Sequence, residues 1–147
     1  TEVIKENYNE INDLNAKTIP ISDYEKIYKQ SIHNADKNKA MLGKYDGGKE
    51  SSYIARANNE YKYFDLGKQW NKIMLKYNLT NIDMFKLFNE PFLEDIANDK
   101  INVYFSHDPR EDKGALGMEY RFLLENNYIF DDTNNQMIMR LKKEKKK

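Results

Sequence analysis

Over residues 101–127, INVYFSHDPREDKGALGMEYRFLLENN, the apolar period changes from two to helical spacing within a single stretch. Ile101, Val103 and Phe105 alternate with Asn102, Tyr104 and Ser106, the pattern of a strand with one buried face. After a polar loop, Leu116, Tyr120, Leu123 and Leu124 recur as the inward positions of an amphipathic helix. A chain holding both patterns cannot be a pure helical bundle or a pure sandwich. It needs a sheet with helices packed on it.

The rest of the chain extends this reading. Val3, Ile4, Tyr8, Ile11 and Leu14 predict a short helix closed by Pro20, and Ser22 with Glu25 forms a capping-box pattern opening a second. That second helix should bury Tyr24, Ile27 and Tyr28. Ala40–Tyr45 reads as a brief strand stopped by Asp46-Gly47-Gly48, with Ser51 or Ser52 capping a short helix through YIARANN and a second strand in EYKYFDLG. Trp70, Ile73, Met74 and Tyr77 mark one helical face, with Trp70 read as core. Thr80 and Asp83 cap the next helix, which Pro91 splits and whose second half Asn89 is placed to cap. YIFDD and MIMRLK around TNNQ predict a closing hairpin. The irregular order of strands and helices points to an α+β fold: N-terminal helices, a short mixed or antiparallel sheet with packed helices, and a C-terminal hairpin. Three segments are expected: a helical region over 1–35, a catalytic region over 36–141, and a basic tail over 142–147. A first residue other than Met reads as a fragment excised from something longer.

Composition excludes several classes. With no cysteine among 147 residues, neither a disulfide framework nor a thiolate metal site can form. His33 and His107 are the only histidines and no HExxH spacing occurs, so no metal and no cofactor is expected. The formal charge balances at +0, which argues against nucleic-acid binding by bulk electrostatics but leaves local patches open. No apolar run approaches a bilayer span, so no stable membrane association is expected. LGKYDGGKES is rich in lysine and glycine but lacks the P-loop spacing.

Met41-Leu42-Gly43-Lys44-Tyr45, Tyr53, Tyr63-Phe64, Trp70, the segment from Asn89 to Leu93, Phe105-Ser106-His107 with Pro109, and Glu119 together resemble a C-terminal domain of bacterial polymorphic toxins, the contact-dependent and secreted effectors of interbacterial competition. The resemblance covers about residues 39–128. It implies a toxin delivered from the end of a larger secreted or cell-surface protein to act in the target-cell cytoplasm, a cognate immunity protein as partner, and a host activating factor as a further candidate partner. Toxin domains at such positions include ribonucleases, deoxyribonucleases, deaminases and NAD-consuming enzymes, so the chemistry must come from the residues.

His107 ends the 101–106 strand where a polar loop begins, the usual place for a functional group on a rigid element. Imidazole exchanges protons without a metal, so His107 is the candidate acid or base of a metal-independent ribonuclease acting on tRNA or rRNA. Its bland alternative is a histidine that ties down the turn. Lys44 and Arg56 are candidates for stabilising charge on phosphate, and Glu119 for a second proton-transfer role, or simply for a favourable charge at a helix N-terminus. Tyr45, Tyr53 and Ser106 are candidates for holding phosphate or a base, Tyr53 by stacking. The rival reading is an ADP-ribosylating or NAD-consuming enzyme built on Arg56, Ser106 and Glu119. The bland one is a binding module whose tyrosines make an interaction surface.

Overall fold

The computed structural model describes residues 8–9, 19–44, 52–133 and 136–142. The predicted helix over 1–20, the Asp46-Gly47-Gly48 turn and Tyr45 lie outside these residues. The elements run α1 (Ile21–Ser31), β1 (Ile32–His33), β2 (Lys39–Leu42), α2 (Tyr53–Ala57), β3 (Tyr63–Phe64), α3 (Gln69–Tyr77), α4 (Asn81–Met84), a π-helical turn (Phe85–Asn89), α5 (Glu90–Asn98), β4 (Asn102–Phe105), α6 (Ala115–Glu125), β5 (Tyr128–Asp131) and β6 (Ile138–Leu141). This is an α+β fold. The backbone divides into two compact units, residues 1–33 with 64–94 and residues 34–63 with 95–147.

The first unit is helical. Its helix α1 begins with Pro20 as N-cap, and the amide of Tyr24 donates to the Pro20 carbonyl. Ser22 therefore lies inside the first turn, and the expected capping box with Glu25 does not form, because Pro20 opens this helix. Thr80 and Asp83 do form theirs, each side chain taking the other residue's backbone amide. Trp70 is half-buried and donates its indole N–H to Asn81. Met84, Phe85, Leu87, Phe88, Phe92 and Leu93 are all buried.

Pro91 does not split this helix. The chain shifts register into a π turn, with the Glu90 amide donating to the Phe85 carbonyl, and continues as α5. Asn89 is consequently buried within the helical path, with its Oδ1 unpartnered among the described residues, and is no cap. Pro91 has no amide to offer the Leu87 carbonyl four residues back. The buried hydroxyl of Tyr24 donates to that carbonyl instead, while the Tyr24 ring packs 5.4 Å from Phe88.

The second unit carries a four-stranded mixed sheet in the order β2-β4-β6-β5. β2 and β4 are parallel, with Lys39 opposite Asn102 and Leu42 opposite Phe105; β4 with β6 and β6 with β5 are antiparallel, the latter two closing the predicted hairpin. One sheet face supplies Ala40, Leu42, Val103, Phe105 and Met139 to the core, all buried. Leu116 and Leu123 of α6 are buried as well, whereas Leu124 is 42 % exposed, correcting its inward assignment. Tyr128 donates its hydroxyl to the Ile101 carbonyl at 2.8 Å, and burial, with the nearby charge of Asp99, pushes the phenol up to about 12.

Candidate active site at the ends of β2 and β4

Parallel pairing places the C-terminal ends of β2 and β4 side by side. The amide of Ser106 donates to the Leu42 carbonyl at 2.9 Å and continues the ladder one residue beyond β4. Gly43 then faces Ser106. A side chain at Gly43 would put its Cβ 1.6 Å from Ser106 Oγ and 2.7 Å from the Tyr53 Cβ, so only glycine allows this approach. Where the chain leaves β2, the amide of Lys44 donates to His107 Nδ1 at 3.3 Å, and the buried Ser106 hydroxyl lies 2.7 Å from the same nitrogen.

These bonds orient the ring. With Nδ1 accepting from Lys44, the neutral imidazole carries its proton on Nε2. A hydroxyl both donates and accepts, so Ser106 can follow the ring through either protonation state. Arg56 donates from Nη1 to the Ser106 carbonyl at 3.1 Å, which holds its guanidinium at the peptide joining Ser106 to His107. Tyr53, at the start of α2, donates its amide to the Lys44 carbonyl at 3.1 Å. Lys44, Tyr53, Arg56, Ser106 and His107 are thus brought together, while Glu119 is buried on α6.

Lys44 does not present a free charge. Its ammonium lies 3.0 Å from Asp112 Oδ1, and Asp112 Oδ2 accepts the amides of Gly114 and Gly117 at 2.9 Å each, capping α6. Burial pushes the Asp112 carboxyl up, but the Gly117 amide, the Lys44 ammonium and the Gly114 amide outweigh it and hold it below the usual carboxylate range. Arg56, by contrast, has no carboxylate partner among the described residues.

Beside this group opens a cleft of about 680 Å³ lined by Lys44, Asp108, Arg110, Glu111, Asp112 and Lys113. Arg110 is clamped by Asp108 through two parallel hydrogen bonds, is joined by Asp132 at 3.2 Å, and stacks 4.8 Å from the Phe130 ring centre. Hydrogen bonds from the Arg110 side chain hold the Asp108 carboxyl below its usual range. Among the described residues no three His, Asp or Glu side chains cluster as a metal ion would require. No helix of the described residues is long and apolar enough to cross a membrane.

Asp112 is the residue sequence reasoning missed. Its position shortly before Gly114 and a helical run marks it as a candidate cap, but its pairing with Lys44 depends on the register of β2 against β4. No protein-family model, curated protein or solved structure matches this chain.

Proposed function

We propose that the second unit is the catalytic part of an interbacterial toxin that cleaves RNA without a metal. The observation that carries this reading is the fixing of His107 through Nδ1 by Lys44 and Ser106, beside a guanidinium that no carboxylate among the described residues neutralises. In such a cleavage the ribose 2′-oxygen loses its proton and bonds to phosphorus. The 5′-oxygen leaves and takes a proton, giving a 2′,3′-cyclic phosphate and a 5′-hydroxyl. His107 makes one of the two proton transfers, and Glu119, buried on α6, is the candidate for the other. As the acid, the imidazolium carries a proton on each nitrogen: its Nδ1 proton goes to the Ser106 hydroxyl in place of the bond from the Lys44 amide, and its Nε2 proton passes to the leaving oxygen. Arg56 stabilises the charge that builds on phosphate. Lys44 acts through its backbone on His107, and Asp112 holds its ammonium.

The test is a denaturing gel of total bacterial RNA incubated with the protein in chelator, beside His107→Ala and Arg56→Gln, with NAD followed in parallel. Cleavage abolished in His107→Ala and strongly reduced in Arg56→Gln supports the reading. Cleavage unaffected by His107→Ala overturns it. The contact of Arg56 with Ser106 also favours a second reading, NAD consumption or ADP-ribosyl transfer dependent on Glu119, which falling NAD over intact RNA would support. In the toxin reading the partner is a cognate immunity protein, expected to be acidic where it covers Arg56. Failure of the product of the neighbouring reading frame to protect cells counts against it.

A further inference from the structure

The sheet face opposite the core of the second unit is lined with tyrosine. Strand alternation places Lys39, Met41 and Gly43 on one face of β2, and Asn102, Tyr104 and Ser106 on the same face of β4. Residues 61–63 run beside the other edge of β2: the Lys62 amide donates to the Lys39 carbonyl at 2.8 Å and the Met41 amide to the Lys62 carbonyl at 2.9 Å. Tyr61 and Tyr63 therefore join that face. The rings of Tyr61 and Tyr104 meet edge to face with centres 5.2 Å apart, and those of Tyr63 and Tyr53 at 6.0 Å. All four are half-buried, with part of each side chain open to solvent.

A lysine sits on this surface. Lys39 Nζ lies 4.3 Å from the centre of the Tyr61 ring and 5.9 Å from that of Tyr104. Neighbouring Lys62 is close to Asp99 and Lys44 to Asp112, but Lys39 has no carboxylate partner among the described residues. Aromatic rings interleaved with an uncompensated cation are what a single-stranded nucleic acid uses: bases stack on the rings and the cation meets a phosphate, with little regard to sequence. The face also has a direction. Ser106 follows Tyr104 by two residues, about 7 Å along the strand, and its hydroxyl touches His107.

We propose that Lys39, Tyr61 and Tyr104 form a stacking subsite for single-stranded RNA, leading along β4 toward His107. The naming of the polymer as RNA rests on the ribonuclease reading. This subsite selects an unpaired segment, because a base already stacked within a duplex cannot lie on Tyr61.

The test is the affinity of the His107→Ala protein for a short fluorescein-labelled oligouridylate, read by anisotropy over a salt series. Tyr61→Ala weakens binding about tenfold, and Tyr61→Phe keeps it. Lys39→Gln lowers the slope of log K against log salt by about 0.7, one phosphate contact on a single strand. Affinity and slope unchanged in both Tyr61→Ala and Lys39→Gln overturn the subsite, as does equal binding of a duplex of the same length. Binding that depends on Tyr61 and Lys39, while the unsubstituted protein leaves RNA uncut, supports the subsite and sinks the ribonuclease reading alone. His107-dependent cleavage with affinity indifferent to both residues sinks the subsite alone.

Discussion

Replacing Asp112 by alanine removes three interactions that meet at one carboxylate. Two are hydrogen bonds from the Gly114 and Gly117 amides, which would otherwise point unpaired from the start of α6. A side-chain cap contributes about 1 kcal/mol, and a charged acceptor raises such a bond to about 1.5–3 kcal/mol. The third is the Lys44 ion pair, worth less than about 1 kcal/mol because the Lys44 side chain is 54 % exposed. The loss expected for Asp112→Ala is about 2–3 kcal/mol. Asp112→Asn keeps an acceptor oxygen and loses only the charge, about 1 kcal/mol. Urea unfolding midpoints measure both, and acid provides a second check. A carboxyl held below its unfolded value of about 3.9 contributes stability at higher pH and loses it as pH falls through the folded value. The gap between the protein and Asp112→Asn should therefore close on acidification below about pH 4. An Asp112→Ala protein that unfolds at the original midpoint, or a gap that widens in acid, refutes the argument.

Tyr24→Phe strips the buried Leu87 carbonyl of its hydroxyl partner and should cost about 1–3 kcal/mol in the same assay; no change would mean that the π turn satisfies that carbonyl without Tyr24. Gly43→Ala forces a methyl against Ser106 and Tyr53, so it should destabilise by about 1–3 kcal/mol and alter the nitrogen NMR signals of His107, an effect absent if the strands can part freely. Lys100 follows α5 with φ of 57°, a left-handed conformation that costs a side-chain-bearing residue about 1–2 kcal/mol. Lys100→Gly should raise stability by about 0.5–1 kcal/mol after glycine's extra chain entropy, and a lowered urea midpoint would contradict this.

What could be read before the structure was local and periodic. The alternation at 101–106 gave β4, the spacing of Leu116 and Leu123 gave α6, and the turn-rich TNNQ gave the hairpin. The Thr80–Asp83 box formed as written, each side chain taking the other residue's backbone amide. The same kind of pattern at Ser22 and Glu25 failed because Pro20 starts the helix two residues earlier. Asn89 failed as a cap because a register shift absorbs Pro91 at lower cost than a break. At the site, His107 was legible from its place at a strand end. Its bond to Lys44 was not, since alternation along β2 and β4 says nothing about how the two strands align. The same blindness hid Asp112, and with it the pairing that occupies the Lys44 ammonium.

The most direct measurement is the chemistry of the RNA ends left after incubation with the protein in chelator. His107 protonating a 5′-oxygen that the 2′-oxygen displaces predicts 2′,3′-cyclic phosphate and 5′-hydroxyl termini, lost in His107→Ala. Fragments ending in 3′-hydroxyl and 5′-phosphate would mean that water, and not the ribose, attacked phosphorus, and would contradict the role given to His107.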